Sequence, residues 1–166
     1  MARRRTRGIG LLELLIVLPV LLLCVFASVD TGRLIYAHQL VVSLCREAAS
    51  LASRGSTDAQ TIAATEAAEA PLHLETAGRA IITTIRRRST TDGAPWVVTQ
   101  TAIGALTTLA SRVGAPGGPA TVPGVTDVPP GVTIRAVEIA HSFRPVMVPP
   151  SFGIFYPDHV YDVAYF

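Results

Sequence analysis

Residues 7–54 read RGIGLLELLIVLPVLLLCVFASVDTGRLIYAHQLVVSLCREAASLASR, and this stretch decides the architecture. Its first part, 9–29, is an almost unbroken apolar run. A bilayer core is crossed by about 20 helical residues at a rise of about 1.5 Å each, so this run has the length of one transmembrane helix. Glu13 is the only charge inside it. Arg3, Arg4, Arg5 and Arg7 stand immediately before it and Asp30 immediately after. Positive charge close to one end holds that end in the cytoplasm. The expected order is therefore a basic cytoplasmic leader at 1–8, a transmembrane helix at 9–29 and a domain on the far side of the membrane.

Composition agrees with this division. Hydrophobic residues make up 49% of the 166 and charged residues 16%, which is apolar for a soluble domain. The formal net charge is +2, and setting the four leading arginines aside turns it negative. The basic balance is thus a topology signal and not a nucleic-acid surface. A cleaved secretory signal is the rival reading, because it too starts with arginines and an apolar core, and Val25-Phe26-Ala27 offers spacing for signal peptidase. The length of the core and the carboxylate of Glu13 weigh against it. Arg3-Arg4 lacks the flanking pattern of a twin-arginine export signal. Pro19 lies mid-span, where a membrane helix tolerates proline as a kink or a point of local melting.

Beyond Asp30 the helix is expected to continue over 30–54. Leu34, Ala37, Val41, Leu44, Ala48 and Leu51 recur at three- and four-residue steps and make one apolar stripe. The stripe is too short for a coiled coil, so it packs on the chain's own domain or against copies and partner helices. Arg54-Gly55 supplies the stop. Two cysteines, Cys24 and Cys45, fall on this one helix. Their 21-residue spacing corresponds to about 32 Å, against a disulfide limit near 7 Å, so they do not pair with each other.

The region 55–166 reads as an α+β domain with a small antiparallel sheet packed on the long helix. Thr57 and Gln60 form a capping box that opens an alanine-rich helix through about residue 70. Leu74, Ala77, Ile81, Ile82 and Ile85 suggest a further helical face, ended by Arg86, Arg87 and Arg88 where a helix dipole favours cations. Residues 96–103 are extended and β-prone. Residues 114–131 are rich in Gly and Pro and read as a surface loop. Residues 132–143 alternate, with a slip of apolar phase between Ala136 and Val137 that suggests a bulge. Pro149-Pro150 makes a turn before the last strand region, 154–166, which sets Tyr161, Val163 and Tyr165 on one face.

No active site is legible. His38, His73, His141 and His159 are scattered, and no His pair or Cys/His cluster has metal-ligand spacing. Asp158-His159 after Pro157 reads as a solvated turn, and the glycines at 8, 10 and 114–118 do not build a phosphate cradle. The expectation is a protein without catalysis, metal or cofactor.

The stretch 7–54 carries one specific likeness. A basic tip, a small residue, an apolar run with Glu13 and Leu18-Pro19, then Asp30-Thr31-Gly32-Arg33, Tyr36 and Cys45-Arg46-Glu47-Ala48-Ala49 follow one another. Together they resemble the TadE/TadG-like proteins of tight-adherence pili, and the strand reaching Phe143-Arg144-Pro145 also looks familiar. The length leaves no room for a von Willebrand-type domain, so the resemblance points to the TadE-sized form. It implies a pseudopilin or minor pilin of a type IVc (Tad/Flp) pilus, held in the inner membrane before assembly. Its implied partners are other pilin subunits, the inner-membrane assembly platform, a prepilin peptidase and the lipid bilayer. The peptidase would cut after Gly8, leaving Ile9 as the new N-terminus and Glu13 as the fifth residue, where pilin-like proteins carry their acidic residue. Leu14 follows Glu13, whereas the major pilin of such systems often has an aromatic there. The other function classes left open are a membrane-anchored envelope binding domain unrelated to pili and a secreted soluble protein.

Overall fold

The computed structural model describes residues 5–68, 72–87, 94–122, 129–148 and 156–166, with side chains from residue 10 onward except 11 and 12. Helix α1 (Arg5–Ser53) runs 49 residues without a break through Pro19, about 74 Å at the α-helical rise. It holds a stretch apolar and long enough to cross a membrane. Most side chains from Leu14 to Val29 are exposed in the isolated chain, as lipid-facing residues would be, whereas Val41, Leu44, Cys45 and Ala48 are buried. One helix thus has two environments, and the change falls near Asp30.

The helix stops as expected. Arg54 and Gly55 donate backbone hydrogen bonds to Leu51 and Ala52, and Gly55 takes a left-handed φ of 89° that a side chain would resist. The capping box closes in both directions. The Thr57 N–H donates to Gln60 Oε1 at 3.0 Å, and the Gln60 N–H donates to Thr57 Oγ1 at 3.3 Å. Helix α2 (Asp58–Ala68) follows.

The second expected helical face is only partly present. Helix α3 (Leu74–Ala77) lasts four residues, and strand β1 (Gly78–Arg86) begins at once. The β-branched run Ile81-Ile82-Thr83-Thr84-Ile85 loses rotamer freedom in a helix and fits a pleated surface better. It also lies in the interior of the sheet, hydrogen-bonded on both edges, which outweighs the helical spacing. Arg86 therefore ends a strand and not a helix, Arg87 lies beyond it, and Arg88 lies outside the described residues.

Strands β2 (Trp96–Gly104), β3 (Thr133–Ser142) and β4 (His159–Tyr165) complete one antiparallel sheet in the order β2-β1-β3-β4. The fold is α+β, as the sequence predicts. The bulge expected at Ala136/Val137 is absent, since β3 pairs in unbroken register with both neighbours. Both residues are buried because both faces of the sheet are covered, so an apolar pair needs no extra residue. The register shift lies instead between Thr84 and Ile85, opposite β2.

One face carries Ala80, Ile82, Val137, Ile139 and Val160 against Val41, Leu44, Cys45 and Ala48 of α1. The other carries Ile85, Val97 and Ala136, closed over by Val113, Ala120 and Val122. The Gly/Pro-rich segment is thus more than a surface loop, because its apolar residues cap the second face. Arg79 fixes the start of this cover by donating to the carbonyls of Leu106, Thr107 and Leu109 at 3.2, 2.6 and 2.5 Å. Residues 154 and 155 and the Pro149-Pro150 turn lie outside the described residues. Tyr161, Val163 and Tyr165 alternate with Val160 and Ala164, and Val163 and Tyr165 join the second cluster.

Candidate functional site at the end of the apolar helix half

Gly8 and Ile9 lie in the first turns of α1, where backbone but not side chain is described, and the same holds for Arg5 and Arg7. Arg3 and Arg4 lie outside the described residues. Glu13 is exposed on the helix two turns in. Among the described side chains no cation stands within ion-pair distance of it. The stripe faces the chain's own sheet. Val41, Leu44 and Ala48 are buried in the first core, Leu34 and Ala37 pack on its margin, and Leu51 is half-buried.

Cys45, one residue off the stripe, is fully buried, and its thiol donates to the Val137 carbonyl at 3.0 Å. Burial, reinforced by the carboxylates of Asp162 and Glu138, pushes the thiol up to about 12. Both cysteines are free, Cys24 being exposed on the apolar half of α1.

The most elaborate arrangement involves a residue that the spacing marks only as the end of the span. Asp30 is wholly buried. Its carboxylate accepts the backbone N–H of Val146 at 3.0 Å and those of Met147 and Val148 at 2.9 Å each. Arg33, one turn on, approaches it at 3.4 Å. Burial alone would raise the carboxyl's pKa, but the three backbone donors and Arg33 outweigh it and hold the group below its ordinary 3.8. Three successive amides on one carboxylate form a closed clamp between α1 and the segment after β3. Tyr156 adds to it: its hydroxyl donates to the Ala27 carbonyl at 3.1 Å and lies 3.4 Å from Thr31 Oγ1. The Tyr156 and Phe143 rings meet at 5.8 Å. An apolar groove follows, lined by Pro19, Leu22, Leu23 and Phe26 of α1 with Met147 and Val148.

A second buried carboxylate lies in the sheet. Glu138, 1% exposed, accepts from Tyr161 Oη at 2.6 Å, from the Arg112 N–H at 2.8 Å and from Ser111 Oγ. The Arg112 guanidinium stacks over the Tyr161 ring at 4.1 Å. Burial and the bond to Glu138 raise the Tyr161 phenol's pKa. This cluster ties the cover segment to the sheet. Its sequence signal was a lone Glu on an apolar strand, which the alternation alone does not interpret.

Among the described residues no group of three or more His, Cys, Asp or Glu side chains is placed to hold a metal ion. No curated protein and no solved structure matches the chain. A family model does match, and it covers residues 8–50, which all lie on α1 and include Glu13, Asp30 and most of the apolar stripe. The helix that is apolar and long enough to cross a membrane, and that packs on the sheet further along, is thus the part of the chain that is similar to TadE-like proteins.

Proposed function

We propose that the chain is a TadE-type pseudopilin or minor pilin, needed to assemble or prime a Tad/Flp type IVc pilus. TadE-like proteins are a pilus-related structural family, and the match over 8–50 is the observation that carries the reading. The two halves of α1 suit such a subunit. The apolar half is free to pack first in lipid and then among neighbouring helices, while the other half is committed to the subunit's own sheet. In this reading the N-terminus lies in the cytoplasm and the precursor sits in the inner membrane. A prepilin peptidase cuts between Gly8 and Ile9, and Glu13 meets the new α-amino group of an adjacent subunit. The partners are other pilins and the assembly platform, and no nucleic acid is involved.

The test is deletion of the coding sequence, with surface pili counted by electron microscopy and the wild-type chain restored in trans. Loss and rescue of pili, with a mature N-terminus at Ile9 by mass spectrometry, is the expected result. Normal pili in the deletion strain would overturn it.

A further inference from the structure

The Asp30 clamp holds residues 146–148 in an unusual position. Along α1, Phe26 lies about 6 Å and Leu22 about 12 Å back from Asp30 toward the middle of the span. Met147 and Val148 line one groove with both, so this segment of the outer domain reaches back beside the membrane-crossing part of the helix. Irregular backbone is tolerated at such depth only when its polar groups are satisfied from within. The N–H groups of Val146, Met147 and Val148 all turn inward onto Asp30. Outward go apolar side chains: Val146 is 66% exposed and Met147 46%. At the other end of the segment the character changes. Arg144 is exposed and shares a small cleft with Arg33, Tyr36 and His141. Tyr156, hydrogen-bonded at the height of Ala27 and Thr31, sits where interfacial tyrosines sit in membrane proteins.

We propose that residues 146–148 are a second membrane contact, seated in the leaflet nearest the domain. The Val146 and Met147 side chains lie among acyl chains, and Arg33 and Arg144 lie at the level of the lipid phosphates. The occupant of the groove is bilayer lipid, because the groove is continuous with the exposed apolar surface of α1. The order of the chemistry also repeats that of a lipid, with apolar groups at span depth and guanidinium groups just above the border. The domain is thereby held at a fixed height and tilt on the membrane. This rests on reading 9–29 as the span, so the experiment carries a control for that reading.

Full-length protein with Trp96→Phe receives one tryptophan at a time and is reconstituted, at low protein-to-lipid ratio, into phosphatidylcholine vesicles with or without bromine on the acyl chains. Met147→Trp and Val146→Trp are expected to lose fluorescence in brominated relative to unbrominated vesicles, because bromine on the acyl chains quenches only an indole that reaches acyl depth. Leu15→Trp should be quenched likewise, and Arg54→Trp, about 36 Å from Asp30 along α1, should not. Protection of Cys45 from maleimide reports that each variant is folded. Quenching of Leu15→Trp with none for both border variants overturns the proposal and leaves the span standing. No quenching at Leu15 either overturns both. Blue-shifted border emission insensitive to bromine would mean a protein surface occupies the groove, and overturns the lipid seat.

Discussion

The carboxylate of Asp30 and the backbone N–H of Val148 lie 2.9 Å apart, joining residues 118 positions apart in the chain. The bond closes the fold where the apolar half of α1 gives way to the half packed on the sheet. Asp30 stands at that point of α1, and Val148 lies in the segment that follows β3. Because Val146 and Met147 donate to the same carboxylate, one side chain fixes three consecutive backbone units.

Replacing Asp30 by Ala or Asn is therefore expected to free residues 144–148. Asn offers one acceptor where three donors converge, and its own N–H₂ opposes them, so it should be nearly as damaging as Ala. Both variants should be cut in this segment by proteinase K under conditions that leave the wild type intact. The pH dependence has a defined sign. A carboxyl held below its ordinary 3.8 favours the fold fully at neutral pH, and that contribution is lost as pH falls below 3.8 toward the folded value. The Asp30 contribution to the segment's protease resistance should be flat from pH 8 to 5 and be lost only in stronger acid. Burial holds His141 below its ordinary 6.5, so a decline near pH 6 belongs to that imidazole. An acid loss that persists unchanged in Asp30→Asn would contradict the clamp.

Leu44→Asp should unfold the outer domain. The side chain is 6% exposed and sits between α1 and the sheet, so the change removes a packed leucine and leaves a carboxyl without a partner, on the order of 4 kcal/mol or more. The reporter is Cys45, one residue away and unreactive in the fold because burial pushes its thiol up to about 12. Maleimide at pH 7.5 should modify Cys45 in the variant and spare it in the wild type. A protected Cys45 in Leu44→Asp would mean the stripe serves contacts between subunits.

Glu138→Gln should loosen the cover of the second sheet face without disturbing α1. Gln keeps one acceptor for Ser111, Arg112 and Tyr161, and leaving a buried donor unpaired costs about 1–3 kcal/mol. Tyr161→Phe, which removes one donor to that carboxylate, should cost about 1.5–3 kcal/mol. Hydrogen exchange is the discriminating measurement. The Arg112 and Val113 amides should exchange faster in Glu138→Gln, and those of residues 41–49 should not.

Gly8→Leu should leave the full-length precursor in the membrane, since prepilin peptidases cut after a small residue. Glu13→Ala should insert at least as well as the wild type, because a charged residue within a span costs about 2.5–3.5 kcal/mol on insertion scales. It should nevertheless fail to restore pili to the deletion strain. Normal piliation by Glu13→Ala would assign the carboxylate to snorkelling toward the cytoplasmic face.

The helical half of this molecule was legible because its signals are local. The length of 9–29, the three- and four-residue stripe, Gly55 after the last turn and the Thr57–Gln60 box each act within a few residues. Residues 74–85 misled because two periods overlap there. Leu74, Ala77 and Ile81 keep helical spacing, while the run 81–85 satisfies a strand, and only pairing with β2 and β3 decides between them. The slip at Ala136/Val137 misled for a similar reason, since alternation marks one buried face and β3 has two. Asp30 and Glu138 were unreadable as sites because their partners lie 116 to 118 and 23 to 27 positions away, beyond any local pattern.

The continuity of α1 has a mechanical consequence. No flexible tether separates the apolar half of the helix from the sheet, since the rod that would be drawn from the bilayer is the same rod that carries Val41, Leu44 and Ala48 into the core. An axial load on either half reaches the other at once. The helical hydrogen bonds and the side chains bracing residues 34–52 against the sheet bear it together, and Pro19, which removes one rung of that ladder, is the compliant point below them. A chain built this way moves along its axis as one stiff body, with its give placed inside the apolar half of the helix and none where that half meets the domain.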